Sequence, residues 1–335
     1  MDTSTLECSI PKSVGVYITE GVIGHGATSV VVKVFDKREN KYFACKIVPR
    51  KSLYEKNLIG NFEQELRVHQ YLDHPNIVSI HEIIYTSDYI YVIMEYCSKG
   101  DLFAVIGDGN LYRMGFVKKL FHQLLTAIDY LHSKGIAHLD IKPENILLTE
   151  NYDIKLADFG CCQLTDFRTR PRICGTLFYV SPEVLRCKCE DGRPSDIWSF
   201  GIVLFSVATG RLPWTGVTDR AIAKQIVQGD IAYTHIMPSD LGAIIKSCTE
   251  YDPNNRPKSN ELLLEPWFKS SSACIRSLPI QSDNTLSRKM PKRDVIRSNP
   301  KIGEIFKPNL KQISTPPSRA LIDSISAIQK PFLLC

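Results

Sequence analysis

The residues best suited to chemistry lie between His138 and Gly160. His138-Leu139-Asp140-Ile141-Lys142-Pro143-Glu144-Asn145 is followed at a short interval by Asp158-Phe159-Gly160. That stretch holds a carboxylate able to take a proton, a cation, a side-chain amide and a second carboxylate. Phosphoryl transfer asks for this set: a base for the attacking hydroxyl, a cation for the moving phosphate, and oxygen ligands for magnesium. A plain polar loop between a helix and a hairpin would not need these types in this order.

Two upstream features fit the same chemistry. In Gly24-His25-Gly26-Ala27-Thr28-Ser29-Val30-Val31, two glycines allow a turn to fold closely over phosphates with backbone N–H groups donating. Gly-x-Gly alone marks many turns, and Ser29 stands where a third glycine would be usual. Phe43-Ala44-Cys45-Lys46 places a lysine in an apolar strand. Most strand lysines face solvent. Here the apolar flanks imply a buried charge that needs a partner, and Glu63 and Glu65 are the candidates.

These groups need a scaffold. Residues 16–34 read as two strands around the glycine turn, and 42–48 as a third. Residues 59–72 have helical spacing, and 77–84 and 89–96 are again strand-like. Past Ser98-Lys99-Gly100 the pattern becomes helical. Val117, Leu120, Phe121, Leu124, Leu125, Ile128 and Leu131 mark one face of a long helix stopped at Gly135. Residues 196–209 are apolar nearly all round, the signature of a buried central helix. The fold class expected is α+β: a small β-rich lobe with one helix, then a larger, mostly helical lobe.

On these motifs the chain resembles the eukaryotic protein kinases of the serine/threonine branch, over residues 14–268. The lobes would divide at 97/98, with an N-terminal extension over 1–13 and a tail over 269–335. The general look is that of the calmodulin-dependent-kinase-like group, from the glycine loop, His74-Pro75-Asn76-Ile77-Val78 and Asp196-Ile197-Trp198-Ser199-Phe200-Gly201. The resemblance implies Mg2+ and ATP as cofactors. Gly24, His25, Gly26, Ala27, Thr28 and Ser29 would cover the phosphates. Ile23, Val31, Ala44 and Leu147 would enclose the adenine. Lys46 would hold the α- and β-phosphates, with Glu65 as its partner. Met94 would be the gatekeeper, Glu95 and Cys97 would present backbone groups to adenine, and Asp101 would reach the ribose. Asp140 would be the catalytic base, Lys142 the cation on the γ-phosphate, and Asn145 and Asp158 the magnesium ligands. Ser181-Pro182-Glu183 resembles the family's Ala-Pro-Glu, with Glu183 paired to Arg256 and Asp196 bracing the catalytic loop. Lys142 and Thr176 are the serine/threonine arrangement, so protein Ser/Thr hydroxyls are the implied acceptors.

The chain departs from the family at Leu139, where arginine is usual. That arginine binds a phosphate on the activation loop, and leucine has no donor for it. The loop position that would carry the phosphate is Arg172, so phosphate and reader are both missing. Mos-type kinases share the His-Leu-Asp form. The expectation is activity without loop phosphorylation, with Thr169 among Arg168, Arg170 and Arg172 as the remaining candidate acceptor. Cys161 and Cys162 follow the metal loop directly; packing is their expected role, and a redox role the alternative. Asp101 and Glu144 favour basic residues before the target hydroxyl, but only in part, because Ser206 replaces a further acid. The competing reading of the whole chain is a pseudokinase or scaffold that binds nucleotide without transferring phosphate.

The 335 residues carry a net charge of +5. From residue 271 onward there are 11 Lys and Arg against 4 Asp and Glu, so the basic character belongs to the tail. The body therefore gives no sign of nucleic-acid binding. No stretch has the run of apolar residues of a membrane span or signal peptide, and neither terminus has a lipidation pattern. The 11 cysteines lack zinc-type spacing and read as reduced thiols. The expectation is a cytoplasmic monomer, with the nucleus as a second address through Arg288-Lys289-Met290-Pro291-Lys292-Arg293. The tail, rich in Ser and Pro, reads as disordered, with regulatory proteins as its candidate partners and Thr315 as a candidate phosphorylation site.

Overall fold

A computed structural model describes residues 10–26, 28–107, 114–164, 175–233 and 238–272. Ala27, Arg168, Thr169, Arg170, Arg172 and the tail beyond 272 lie outside them, as do the sequence expectations placed on those positions.

The first lobe is an antiparallel sheet in the order β1-β2-β3-β4-β6-β5. Its strands are β1 (Ser13–Val14), β2 (Tyr17–His25), β3 (Val30–Asp36), β4 (Lys41–Pro49), β5 (Ile80–Tyr85) and β6 (Tyr89–Glu95). Strand alternation decides which residues go inside. In β3, Val30, Val32 and Val34 are buried while Val31, Lys33 and Phe35 are only partly so. One apolar cluster gathers Val32, Phe43, Cys45, Ile47 and Ile93. The other joins Val48, Ile90 and Val92 to Leu53 of α1 (Arg50–Glu55) and to Phe62 and Leu66 of α2 (Ile59–Gln70). The short helix α1 has no signal in the sequence pattern, because Leu53 is its only buried residue. The expected strand from Ile77 begins instead at Ile80. Residues 76–78 turn away and run along the second lobe: Val78 N–H donates to Leu156 O (3.0 Å), and Leu156 N–H donates to Asn76 O (2.8 Å).

The second lobe holds α3 (Leu102–Gly107), α4 (Met114–Ser133), α5 (Pro182–Leu185), α6 (Arg193–Thr209), α7 (Asp219–Gln228), α8 (Ser239–Cys248), α9 (Ser259–Leu262) and α10 (Pro266–Ser272). The apolar stripe expected on α4 is buried from Val117 to Leu131. On α6 every residue from Ser195 to Ser206 is buried, as its uniform hydrophobicity requires. A small hairpin, β8 (Ile146–Leu148) with β9 (Ile154–Leu156), and a two-stranded antiparallel pair, β7 (Ile136–Ala137) with β10 (Gln163–Leu164), frame the loops in which the candidate chemistry falls.

Candidate active site

Strand register sets the upper wall. In the β3–β4 pair Val31 stands across from Lys46, and in the β4–β6 pair Ala44 stands across from Met94. The glycine turn is tight: Gly26 N–H donates to Ser29 O (2.7 Å), and a Cβ on Gly26 would meet Ser29 Oγ at 2.6 Å. Ser29 is buried beneath that turn, and Ile23 lies open at 47 % exposure. Cys97 is buried, which pushes its thiol up to about 12. Glu95 N–H donates to Ser79 O (3.0 Å), while its carboxylate pairs with Lys155 (2.8 Å). Asp101 bridges to Leu147 and caps α3, accepting Ala104 N–H at 2.7 Å. Burial raises its pKa.

Lys46 Nζ donates to Glu65 Oε1 at 2.7 Å and lies 4.0 Å from Asp158 Oδ1, while Glu63 is exposed. Of the two helix carboxylates left open by the sequence, Glu65 is thus the partner. Burial alone would lower the Lys46 pKa, but Glu65 and Asp158 outweigh it and hold the ammonium charged. Burial likewise opposes ionisation of Asp158, yet Lys46 and then Lys142 keep its carboxyl below the usual range. Asp158 holds a left-handed backbone (φ 63°), uncommon for a residue with a side chain.

The lower wall centres on Asp140. Its Oδ2 accepts from Lys142 Nζ (2.6 Å) and Asn145 Nδ2 (3.0 Å), and its Oδ1 accepts Thr176 N–H (3.1 Å). Lys142 Nζ also donates to Thr176 Oγ1 (3.0 Å). Burial would lower the Lys142 pKa, and Asp140 more than reverses that. Asn145 Nδ2 donates to the backbone O of Asp140 as well (2.9 Å). Its N–H groups are therefore engaged, and its carbonyl oxygen is the atom left to offer a cation. Among the described residues no group of three or more His, Cys, Asp or Glu could hold a metal ion. An amide oxygen and one half-exposed carboxylate suit magnesium, which is usually held by few protein ligands together with substrate phosphates.

Asp196, at the start of α6, fixes the loop beneath Asp140. It accepts the N–H groups of His138 (2.8 Å) and Leu139 (2.7 Å), and His132 Nε2 lies 2.9 Å from it. Glu183 receives both guanidinium nitrogens of Arg256 (2.6 and 2.8 Å) and Ser195 Oγ (2.8 Å), and Ser181 Oγ donates to Ser195 Oγ (2.9 Å). Sequence reasoning missed His132, Ser195 and His69, a buried histidine on α2. The faint signal for His69 was its place one turn beyond Glu65 on an otherwise apolar face.

A curled sheet with one ion-paired helix, set over a helical lobe with acid, lysine and amide at the seam, is the protein kinase fold. Residues 17–268 match the protein kinase domain family, and the chain belongs to that family. It is 35 % identical over 260 residues to CBL-interacting serine/threonine-protein kinase 14 of Arabidopsis thaliana, covering 76 % of this chain and 58 % of that protein. It is 31 % identical over 269 residues to CBL-interacting protein kinase 5 of Oryza sativa subsp. japonica, covering 78 % and 58 %. For CBL-interacting serine/threonine-protein kinase 12 of Arabidopsis thaliana the figures are 32 % over 287 residues, 81 % and 58 %. The matches thus span less than two thirds of these relatives' length.

Proposed function

We propose that the chain is a serine/threonine protein kinase that moves the γ-phosphate of Mg-ATP to hydroxyl side chains of protein substrates. The observation that carries this is the assembly of Lys46, Glu65 and Asp158 on one side with Asp140, Lys142, Asn145 and Thr176 on the other. In this reading Lys46 neutralises the inner phosphates and is held to the task by Glu65. Asp140 takes the proton of the attacking hydroxyl. Lys142 balances charge on the phosphate in flight, and Thr176 ties that lysine to the substrate shelf. Asn145 and Asp158 would hold magnesium, which would supply charge neutralisation on the phosphates. Radiolabelled ATP with a library of Ser/Thr peptides tests it. Wild type should label peptide, and Asp140→Asn should lower the rate by about 100-fold or more. A wild type that binds Mg-ADP but labels nothing would establish the non-catalytic reading instead.

The same proposal includes activity without loop phosphorylation. Leu139 is 8 % exposed and packs its Cδ2 where a side chain on Gly192 would go, an apolar contact in place of a phosphate reader. Phosphatase-treated enzyme and Thr169→Ala should both keep near-wild-type activity, and loss in both would sink the idea. A partial preference for arginine before the target is favoured by Glu144, whose Oε2 is buried without a hydrogen-bond partner among the described residues. Ser206 adds nothing there, since its hydroxyl donates to Val203 O (2.8 Å). A peptide array returning a proline-directed or acid-directed consensus would refute this preference. The relatives are named for interaction with CBL; we extend to this chain only that a regulatory protein binds its tail.

A further inference from the structure

We infer that Lys33 is a positioning residue: its ammonium staples the chain after β6 to the roof of the nucleotide cleft, so that the backbone between Glu95 and Cys97 is held ready for adenine. The inference rests on the kinase reading above. The β3–β4 register sets Val31 across from Lys46, Lys33 across from Ala44 and Phe35 across from Tyr42. Side chains two apart on a strand share a face. The face that carries Ala44 and Lys46 therefore continues outward through Lys33, Phe35 and Tyr42. Lys33 and Tyr42 are diagonal neighbours on it, within reach of long side chains. Lys33 Nζ lies 3.6 Å from the centre of the Tyr42 ring and 5.5 Å from that of Tyr96. Phe35 backs the Tyr42 ring at 5.0 Å, and the Tyr42 and Tyr96 rings are 6.4 Å apart. Glu20 completes the group, 2.8 Å from the same ammonium. The β2–β3 register skips Glu20 between Thr19 and Gly21, an irregularity of the kind that re-aims a side chain. One cation thus meets β2, β4 and the segment after β6.

The contacts of Lys33 differ in what they can do. A part-exposed lysine–glutamate pair contributes little, and it joins only β2 to β3. The rings are the part that reaches the cleft. Tyr96 stands between Glu95 and Cys97, and Tyr42 precedes Ala44 by two. A cation over an aromatic face is attracted by the ring's negative charge, and both rings lie inside the working range of about 6 Å. With the cation gone, the two rings keep only their own loose contact at 6.4 Å. The backbone beside Tyr96 would then be ordered by the nucleotide at the moment of binding. Ordering a segment on binding costs affinity, and holding it beforehand restores that affinity. Lys33 is placed at neither the adenine nor the phosphates; it acts through Tyr96.

The test uses the full chain in three measurements: Mg-ADP binding by calorimetry, ATP kinetics in the peptide-labelling assay, and hydrogen exchange of the nucleotide-free protein. Lys33→Met keeps the length of the stem but removes the charge. Lys33→Arg keeps a cation that stacks on rings. Lys33→Met should raise KM for ATP and Kd for Mg-ADP about three- to fivefold, the effect of one such cation–ring contact at a part-exposed site. Its kcat and its KM for the peptide should stay unchanged, and Lys33→Arg should restore both nucleotide constants. Exchange over residues 95–100 should be faster in Lys33→Met and return to the wild-type rate in Lys33→Arg. In a Tyr96→Leu background, Lys33→Met should change Kd no further, because the ring it acts through is gone. Wild-type Kd and wild-type exchange in Lys33→Met overturn the inference. So does a loss that Lys33→Arg leaves unrestored, or one that simply adds to that of Tyr96→Leu. If wild type transfers no phosphate, the kinase reading falls; the exchange over 95–100, which needs no nucleotide, still decides for or against the staple.

Discussion

Lys46 shows how a single side chain can be placed by competing effects. Burial disfavours its charge, and the Glu65 and Asp158 carboxylates restore it. Lys46→Met should leave the fold intact and lower phosphate transfer by about 100-fold or more, as expected when a positioned cation is lost from the transition state; the peptide-labelling rate measures this. His69 permits a prediction on stability. Its folded pKa of about 4 lies below the ordinary 6.5. Between those values the unfolded chain binds more protons, so stability falls as pH drops from 6.5 towards 4, by up to about 3 kcal/mol for this group. Urea unfolding of wild type and His69→Gln at pH 7 and pH 4.5 should show the wild type's loss exceeding that of the variant. At this scale the motif residues were legible because each reaction role demands one residue type. His69 and His132 were not, since a histidine in a helix carries no mark of the carbonyl or carboxylate it will meet.

Among elements, the tie between α5 and the segment before α9 is the clearest. Glu183 and Arg256 form a bidentate pair, with the arginine side chain fully buried. Arg256→Met would strand a buried carboxylate, at a cost of about 3–5 kcal/mol, to be read from denaturant midpoints. Burial would raise the Glu183 pKa, but Arg256 holds it below the ordinary 4.5. Its contribution is therefore complete above pH 4.5 and is lost as pH falls through the lower folded value; Glu183→Gln should flatten that part of the acid limb. The long helices α4 and α6 could be read from periodicity and uniform hydrophobicity. The pairing of 76–78 with β9 could not, because three residues offer no period, and the partner lies nearly eighty positions away.

Across the molecule, the sheet has apolar clusters of its own, and the lobes are joined by the chain after Glu95, by the 76–78 contacts with β9, by Val68 of α2 within the second lobe's core, and by the Lys46–Asp158 and His69–Phe159 contacts. A nucleotide held from both sides would bind the folded form alone and add stability by mass action. Mg-ADP at about 100 times its Kd should add about 2.7 kcal/mol, seen as a rise in Tm. Asp158→Asn should remove most of that rise, and a shift that survives without magnesium would count against Asn145 and Asp158 as its ligands. The two-lobed plan was legible from the change from strand to helix patterning near Gly100. How the lobes meet was legible only in part, since the 76–78 pairing with β9 rests on backbone groups that every residue has.

The contact between Leu139 and Gly192 also bears on what other side chain the position would admit. Leu139 sits at φ 62°, both its backbone and its side chain enclosed, with Cδ2 2.9 Å from where a Cβ on Gly192 would fall. A substitution to arginine would put a guanidinium into that enclosed corner, and an unpartnered buried charge is strongly unfavourable. Leu139→Arg should therefore lower the denaturant midpoint, and a midpoint equal to wild type would show that the corner can open to admit a charge.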